Sequence, residues 1–321
     1  MTRVSLAVAL AFSVLWACSG EEQDSPTELP RAPDSGGAPS TPETGSVDSC
    51  PDGFPRGKAS DSRLVAKLSP SPEGVAVCPN GNVFVSIPDQ GTVLRIPLDG
   101  TPPEVWATLT GRQTLGLACT EGTLFAVDFR SNDAAVIRIA GKGAAGEPLP
   151  NLEDGGSFRA MNGIVAMKGR GLYVSEASNT ANGRIIFFSE TAPNTYKATV
   201  AKGGLPFPNG LAFDSKSGTL HVALTLRSQV LAFATEADGG VGTGDVVWSG
   251  TPLIDSIDGM AIDENKAIYV AHYLQGYVGR SPDNAKVATM KEPRSLAFRG
   301  GSLLVTGAEG LYEKPLGICG M

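Results

Sequence analysis

The sequence predicts an all-β fold, a six-bladed β-propeller, on three observations. A five-residue phrase recurs six times: one variable residue, then Gly or Ser, then an apolar stretch that contains Ala. The copies are 42, 47, 47, 49 and 36 residues apart, and a period of this size is typical of one repeat per propeller blade. No helical periodicity separates them, and the chain of 321 residues holds 40 Gly and 23 Pro. The copies are 73–77, 115–119, 162–166, 209–213, 258–262 and 294–298.

Each phrase is predicted to begin the first strand of a blade. A Gly-rich or polar turn follows, such as 79–82 in the first repeat, and marks a hairpin. Second and third strands follow, at 84–86 and 93–96 in that repeat, and the fourth strands are less regular. The apolar run 63–68 precedes the first phrase, so we expect it to supply the outer strand of the last blade. The predicted fold therefore has four-stranded antiparallel blades, and pairing of the N- and C-terminal segments closes the ring.

Residues 1–17 have the pattern of an export signal. A positively charged start precedes an apolar run over 6–16, which is too short to span a bilayer comfortably. Leu15-Trp16-Ala17-Cys18 resembles the lipobox of bacterial lipoproteins. That resemblance implies lipidation of Cys18, and Ser19 after it implies an outer-membrane destination. Two alternatives stay open: cleavage by an ordinary signal peptidase, because the tryptophan is unusual in that motif, and a cysteine that is only a small residue near the cleavage site.

Residues 18–60 are predicted to be a disordered tether, and 61–321 the propeller. The tether is rich in Ser, Pro, Gly, Thr and acids, and it has too few large apolar residues to form a core. The predicted location is the bacterial cell envelope, with membrane contact only through the lipid anchor. A formal net charge of −7 argues against nucleic acid as a partner.

Four further cysteines can form disulfides in an exported protein. Cys78 and Cys119 end equivalent strands of adjacent blades, and Cys50 and Cys319 flank the folded part at its two ends. We predict the pairs Cys78–Cys119 and Cys50–Cys319. Free buried thiols are the alternative, because sequence alone does not fix the geometry.

The first residues of the phrases are predicted to converge on the propeller axis. Four of the six bear oxygen: Glu73, Asn162, Asn209 and Asp258. Because strands one and two are antiparallel, the ends of the second strands join the same face. Asp128, Glu176 and His272 lie at such ends, whereas Ile87, Leu224 and Gly307 make the rest of that face apolar. The combination favours a small amphiphilic ligand.

Each of these residues also has a structural interpretation. Asn-Gly pairs commonly form turns, and Asp258 could be a strand-start cap. Asp128 and Glu176 are the kind of residues that usually lie as solvated charges at a rim, and His272 could be a pocket wall. A turn or cap does not explain why four oxygen-bearing residues share one repeat position.

Residues 64–317 resemble the regucalcin/gluconolactonase family of six-bladed propellers. The resemblance is carried by Pro208-Asn209-Gly210-Leu211-Ala212-Phe213-Asp214, by Asp258-Gly259-Met260-Ala261-Ile262-Asp263, and by 268–271, 276–280 and 295–301. It implies that Glu73, Asn209 and Asp258 bind one divalent cation, often calcium, and that Asn162 helps to hold substrate. Arg159 lies three residues before Asn162, and Gly163 stands where the family pattern has Asp, so gluconolactone itself is not the predicted substrate.

The implied chemistry is hydrolysis of a lactone or similar ester by a monomer. Carboxylate and amide oxygens favour Ca²⁺ over Zn²⁺, and a cation with an open position can polarise a carbonyl. The resemblance implies Asp258 as general base, with His272 and Glu176 as second candidates. Asn162, Asp128 and Arg159 are the candidate substrate-binding residues. The alternatives are a non-catalytic propeller that binds a ligand or protein with a structural cation, and a lyase with His272 as base.

Overall fold

The structure, a computed structural model, describes residues 49–178, 180–252 and 254–321. The predicted signal peptide, Cys18 and most of the predicted tether lie outside these ranges. Two short 3₁₀ turns, Pro88–Gln90 and Thr225–Arg227, accompany the strands. No helix in the described ranges is long and apolar enough to cross a membrane.

The strands form six four-stranded antiparallel sheets, as predicted. Strand β1 (Arg63–Lys67) stands before the first blade. The strands of blades one to three are β2 (Val75–Val77), β3 (Val83–Ile87), β4 (Thr92–Ile96), β5 (Glu104–Thr108), β6 (Thr114–Cys119), β7 (Leu124–Asp128), β8 (Val136–Ile139), β9 (Glu147–Pro148), β10 (Met161–Met167), β11 (Gly171–Glu176), β12 (Gly183–Ala192) and β13 (Thr195–Leu205). The strands of blades four to six are β14 (Pro208–Asp214), β15 (Thr219–Leu224), β16 (Gln229–Thr235), β17 (Val241–Ser249), β18 (Ile257–Ile262), β19 (Ile268–His272), β20 (Tyr277–Arg280), β21 (Ala285–Thr289), β22 (Leu296–Arg299), β23 (Ser302–Gly307) and β24 (Gly310–Pro315).

The first strands of the blades contact one another in a closed circle. In order around the circle these strands are β2, β6, β10, β14, β18 and β22, and the last contacts the first again. Each blade therefore begins beside the propeller axis and ends at the periphery.

The hydrophobic core is divided among the six junctions between blades. Each buried cluster takes its residues from two neighbouring blades. Phe84 of blade one packs in the same cluster as Ile137 of blade two, for example, and Tyr173 of blade three packs with Leu220 of blade four. Because apolar burial is the main driving force for folding, the blades stabilise one another as a ring.

The ring closes as predicted, because β1 pairs with β24 as the outer strand of the last blade. Both predicted disulfides are confirmed. Cys50 is bonded to Cys319, and Cys78 is bonded to Cys119, with Cα–Cα distances of 5.5 Å and 5.1 Å. The second disulfide joins adjacent blades.

Residues before the predicted boundary at residue 60 already contact blade six. The backbone N–H of Gly300 donates to the Asp52 carboxylate, and that of Gly301 to the Pro55 carbonyl. Arg299 lies 4.3 Å from the centre of the Phe54 ring. Composition favoured disorder here, but the Cys50–Cys319 disulfide holds this segment against blade six.

Candidate functional site

The first two residues of the phrase form a β-bulge. Between Met161 and Ile164 two residues of β10 stand opposite the single residue Ser175 of β11. The same shift occurs in blades two, four and five, between Thr114 and Leu117, Pro208 and Leu211, and Ile257 and Met260. A bulge locally re-aims side chains and is common beside functional sites. It gives the first residue of these four phrases its own orientation relative to the rest of the strand.

The phrase glycines are required by close packing around the axis, not by turn chemistry. A Cβ on Gly163 would lie 2.4 Å from the carbonyl oxygen of Asn209 in the next blade, and one on Gly210 would lie 2.5 Å from that of Asp258. Gly74, Gly116 and Gly259 have the same relation to the next phrase. None of these five glycines has a positive φ, so the Asn-Gly turn alternative is wrong.

Hydroxyl groups of one blade hold the phrase of the next. Ser86 donates to the carbonyl of Leu115 at 2.6 Å, and Ser175 donates to that of Asn209 at 2.6 Å. Thr306 donates in the same way to the carbonyl of Glu73. Each hydroxyl also accepts a backbone N–H from the phrase of its own blade. The backbones that carry Glu73 and Asn209 are thus fixed by satisfied buried hydrogen bonds.

The six phrases form a ring around the propeller axis. The four oxygen-bearing phrase residues all lie on this ring. Asn209 is buried, and its Nδ2 donates to Thr225 Oγ1 at 3.1 Å. That contact uses the amide nitrogen and leaves the amide oxygen for a ligand. Glu73, Asn162 and Asp258 are half-buried. Asn162 stands on β10 with its carbonyl against Gly116, and no side-chain bond ties it to the other three.

The two carboxylates of the ring are electrostatically coupled. Burial raises the pKa of Asp258 well above its ordinary value, and the nearby Glu73 carboxylate raises it further, against the lowering effects of Arg294 and a hydrogen bond from Asn209. Burial also raises the pKa of Glu73, although Arg294 lowers it. A cation bound between these two carboxylates would stabilise their ionised forms.

A cationic side chain already lies in the ring. Arg294 is the first residue of the sixth phrase, and its Nη1 lies 3.0 Å from Glu73 Oε2. Its Nη2 lies 3.1 Å from Glu292 Oε2. The guanidinium balances one negative charge of the two ring carboxylates.

The donor set fits a hard divalent cation. Glu73, Asp258 and the amide oxygen of Asn209 are oxygen ligands of the type that Ca²⁺ takes. The described residues contain no group of three or more His, Cys, Asp or Glu that could hold a metal ion, so any cation here would rely on the amide as well as the two carboxylates. A soft or borderline metal such as Zn²⁺ lacks its preferred ligands.

Asp128 and Glu176 end their strands as predicted, but they are not solvated rim charges. Asp128 is fully buried and accepts from Arg112 at 3.0 Å and Arg130 at 2.7 Å. Glu176 is 6% exposed and accepts from Nε and Nη2 of Arg184, at 2.9 and 2.6 Å. Both carboxylates serve as anchors for the loops that lead from one blade to the next.

Arg159 is exposed, and its backbone N–H donates to Glu176 Oε2 at 3.1 Å. Arg159 therefore lies in the loop before β10, next to Glu176.

His272 is the last residue of β19 and is fully buried. Its Nε2 lies 3.0 Å from Asn284 Oδ1, its Nδ1 lies 3.8 Å from Asp255 Oδ1, and its ring stacks on Tyr277. Burial lowers the pKa of His272, so the ring is neutral at pH 7. None of these contacts involves Glu73 or Asp258. The structure therefore places His272 among aromatic and amide neighbours rather than with the ring carboxylates.

Sequence reasoning missed the pairing of Arg294 with Glu73. The signal was present, because Arg294 holds the same phrase position as the oxygen-bearing residues. It also missed the inter-blade hydroxyls Ser86, Ser175 and Thr306, which share the penultimate position of the second strand.

The fold and the ring define the class of protein: a six-bladed propeller with an axial cluster of oxygen-bearing side chains. A family comparison matches residues 117–307 to the SMP-30/Gluconolactonase/LRE-like region. The chain belongs to this family, and the predicted resemblance is confirmed. Glu73 lies before the matched residues, so its place in the ring rests on the structure.

Solved structures with this architecture are similar over most of their length. One is a gluconolactonase from Xanthomonas campestris, 18% identical, with a TM-score of 0.66, covering 79% of this chain and 89% of that one. Another is regucalcin from Agrobacterium tumefaciens, described as a calcium-binding protein, 18% identical, with a TM-score of 0.65, covering 82% and 96%. At this identity the likeness shows the fold. No curated protein matches the chain.

Proposed function

We propose that the protein is a divalent-cation-dependent hydrolase that opens a lactone or a similar small ester. The family is gluconolactonase-like. The observation that carries the proposal is the placement of Glu73, Asn209 and Asp258 at equivalent positions of three repeats whose first strands meet around the propeller axis. A structural scaffold does not require two half-buried carboxylates whose like charges repel each other.

Glu73, Asn209 and Asp258 would hold the cation, which is Ca²⁺ on the chemistry of the donors. When bound, such an ion supplies Lewis acidity toward a carbonyl oxygen. Asp258 would accept a proton from the attacking water, because its carboxylate lies on the axial ring beside the place where the substrate would bind. Asn162, on the same ring, would orient the substrate.

We also propose an envelope location, with the chain anchored through Cys18 and acting as a monomer. Two extracellular-type disulfides support an oxidising compartment. The motif at 15–18 supports lipidation.

A second candidate is a non-catalytic propeller that binds a ligand or partner, with a structural cation. The pairing of Arg294 with Glu73 favours it, because an internal counter-charge reduces the need for a reactive metal. The burial of Asp128 and Glu176 in internal ion pairs also removes two polar groups from the face.

The test is hydrolysis of a small panel, an aryl acetate, a γ-lactone and an aromatic δ-lactone, measured with excess CaCl₂ and with chelator. We expect chelator-sensitive turnover of at least one compound and a loss of at least about a hundredfold in Asp258→Asn. Asp245→Asn is the matched control, because Asp245 lies exposed on the outer strand β17. Equal turnover in Asp258→Asn and Asp245→Asn, or turnover that ignores the chelator, would refute the hydrolase mechanism. Calcium binding without turnover of any compound favours the second candidate.

A further inference from the structure

Arg294 stands in the ring position that Glu73, Asn209 and Asp258 hold in their own repeats. Its guanidinium bridges two carboxylates, with Nη1 3.0 Å from Glu73 Oε2 and Nη2 3.1 Å from Glu292 Oε2. One partner is a proposed cation ligand and the other lies outside the ring. The arginine is therefore shared between the site and its surroundings.

The outer partner is held in place. The Tyr273 hydroxyl donates to Glu292 Oε2 at 3.4 Å, and the Arg294 guanidinium lies 5.6 Å from the centre of the Tyr273 ring. Glu292 has a φ of 50°, in the left-handed region that non-glycine residues rarely adopt. Such a conformation persists where its surroundings impose it, so Glu292 is a fixed second acceptor for the guanidinium.

The hydrogen bonds of the Arg294 guanidinium on the Glu73 side are incomplete. The side chain of Arg294 is 16% exposed, and its Nε is buried without a hydrogen-bond partner among the described residues. A guanidinium offers five donors in a fixed fork. On the same side Nη1 also donates to the carbonyl of Pro72 at 3.4 Å. The observed position still leaves Nε unsatisfied, so a full set of hydrogen bonds does not lock the guanidinium onto Glu73.

A guanidinium and a divalent cation compete for the same ring. Both need Glu73 as a partner, and two positive groups close together in a partly buried site repel strongly. The ring carboxylates Glu73 and Asp258 carry two negative charges when ionised. A divalent ion together with Arg294 would bring three positive charges to them, unless the arginine turns to Glu292.

We propose that Arg294 is a built-in competitor for the cation site, and that cation binding moves the guanidinium off Glu73, so that it pairs with Glu292 alone. The inference rests on the cation site of the proposed function. Arg294 neutralises Glu73 when calcium is scarce. Calcium therefore fills the site at a higher concentration than it would without the arginine. Glu292 acts here as a positioning residue that receives the displaced arginine.

The test is titration of the purified protein with CaCl₂ by calorimetry, for the wild type, Arg294→Met and Arg63→Met. Arg63 is the matched control, because it also pairs with a glutamate, Glu313, but lies on the outer strand β1. We expect Arg294→Met to bind calcium at least about tenfold more tightly than the wild type, and Arg63→Met to match the wild type.

Equal affinity in Arg294→Met and the wild type would overturn the inference and leave the cation site standing. Absence of binding in all three proteins would overturn the cation site and the inference together. Thermal melting of each variant checks that it folds.

Glu292→Gln adds a test in the wild-type background that does not need Arg294→Met, and where Arg294→Met folds it completes a double-mutant cycle. In the wild-type background Glu292→Gln should weaken calcium binding, because the guanidinium then has Glu73 as its remaining carboxylate partner of the two. With Arg294→Met already present the same change should have a much smaller effect. An equal loss of affinity in both backgrounds would mean that Glu292 acts only through its own charge, and would refute the transfer.

Discussion

Gly210 lies where the phrase of blade four packs against that of blade five. A Cβ at this position would lie 2.5 Å from the carbonyl oxygen of Asp258 and 2.7 Å from Gly259 Cα. Both neighbours are backbone atoms of a strand that is fixed in its own sheet, so they cannot move aside as a flexible side chain would. We expect Gly210→Ala to destabilise the fold by about 3 kcal/mol, the upper end of typical overpacking costs. For a domain of this size that corresponds to a fall in Tm of roughly 5 °C.

The assay is thermal unfolding, with Gly203→Ala as the control. Gly203 lies exposed on β13 without a positive φ, and an added Cβ there meets nothing within 4 Å. We expect that control to be neutral or slightly stabilised, by up to about 1 kcal/mol, through a smaller unfolded-state entropy. A Tm of Gly210→Ala equal to that of Gly203→Ala would refute the claim that close inter-blade packing selects the phrase glycines.

Three further predictions concern the bonds that hold the ring and its surroundings. Thr306→Val removes a hydroxyl that donates to the Glu73 carbonyl and accepts from the Ser295 N–H, so it should cost about 1–3 kcal/mol. Chemical denaturation measures this, and a change below about 0.5 kcal/mol would contradict it. Replacing both Cys50 and Cys319 by Ala opens a link across 269 residues, for which chain entropy predicts a loss of about 5 kcal/mol; an unchanged denaturation midpoint would count against this. Burial lowers the pKa of His272 below its ordinary 6.5, so the unfolded state takes up the proton first as pH falls. The stability from neutral His272 is present above about pH 6.5 and is lost below it. Denaturation curves at pH 7.5 and 5.5 should show a smaller pH dependence in His272→Gln, and an equal dependence would exclude this role.

The ring of phrase residues could be predicted from the sequence because a propeller brings equivalent repeat positions to one axis. Glu73, Asn209 and Asp258 lie far apart in the chain, yet their shared position in the repeat placed them together. The same reasoning paired β1 with the last blade and predicted Cys50–Cys319, since a closed ring must join its two ends.

The function of the phrase glycines could not be predicted, because their constraint comes from the neighbouring repeat. Locally, Asn209-Gly210 reads as a turn, and only the position of the Asp258 carbonyl shows why glycine is needed. The burial of Asp128 and Glu176 was missed for a similar reason. Their arginine partners, Arg112 and Arg184, lie in loops and strand ends that carry no repeated pattern.

The pairing of Arg294 with Glu73 joins residues 221 positions apart across the closure of the ring. Position within the repeat placed both residues on the axis. It did not show which side chains touch, because that depends on the directions of the individual side chains and on the neighbouring Glu292.

The most direct test of the central claim is calcium titration of the chelator-treated protein, with Asp258→Asn and Asp245→Asn measured beside it. The axial site predicts binding of one calcium ion per chain in the wild type and in Asp245→Asn, and loss of that binding in Asp258→Asn. Binding that survives in Asp258→Asn, or absence of binding in the wild type, would contradict a cation site built by Glu73, Asn209 and Asp258.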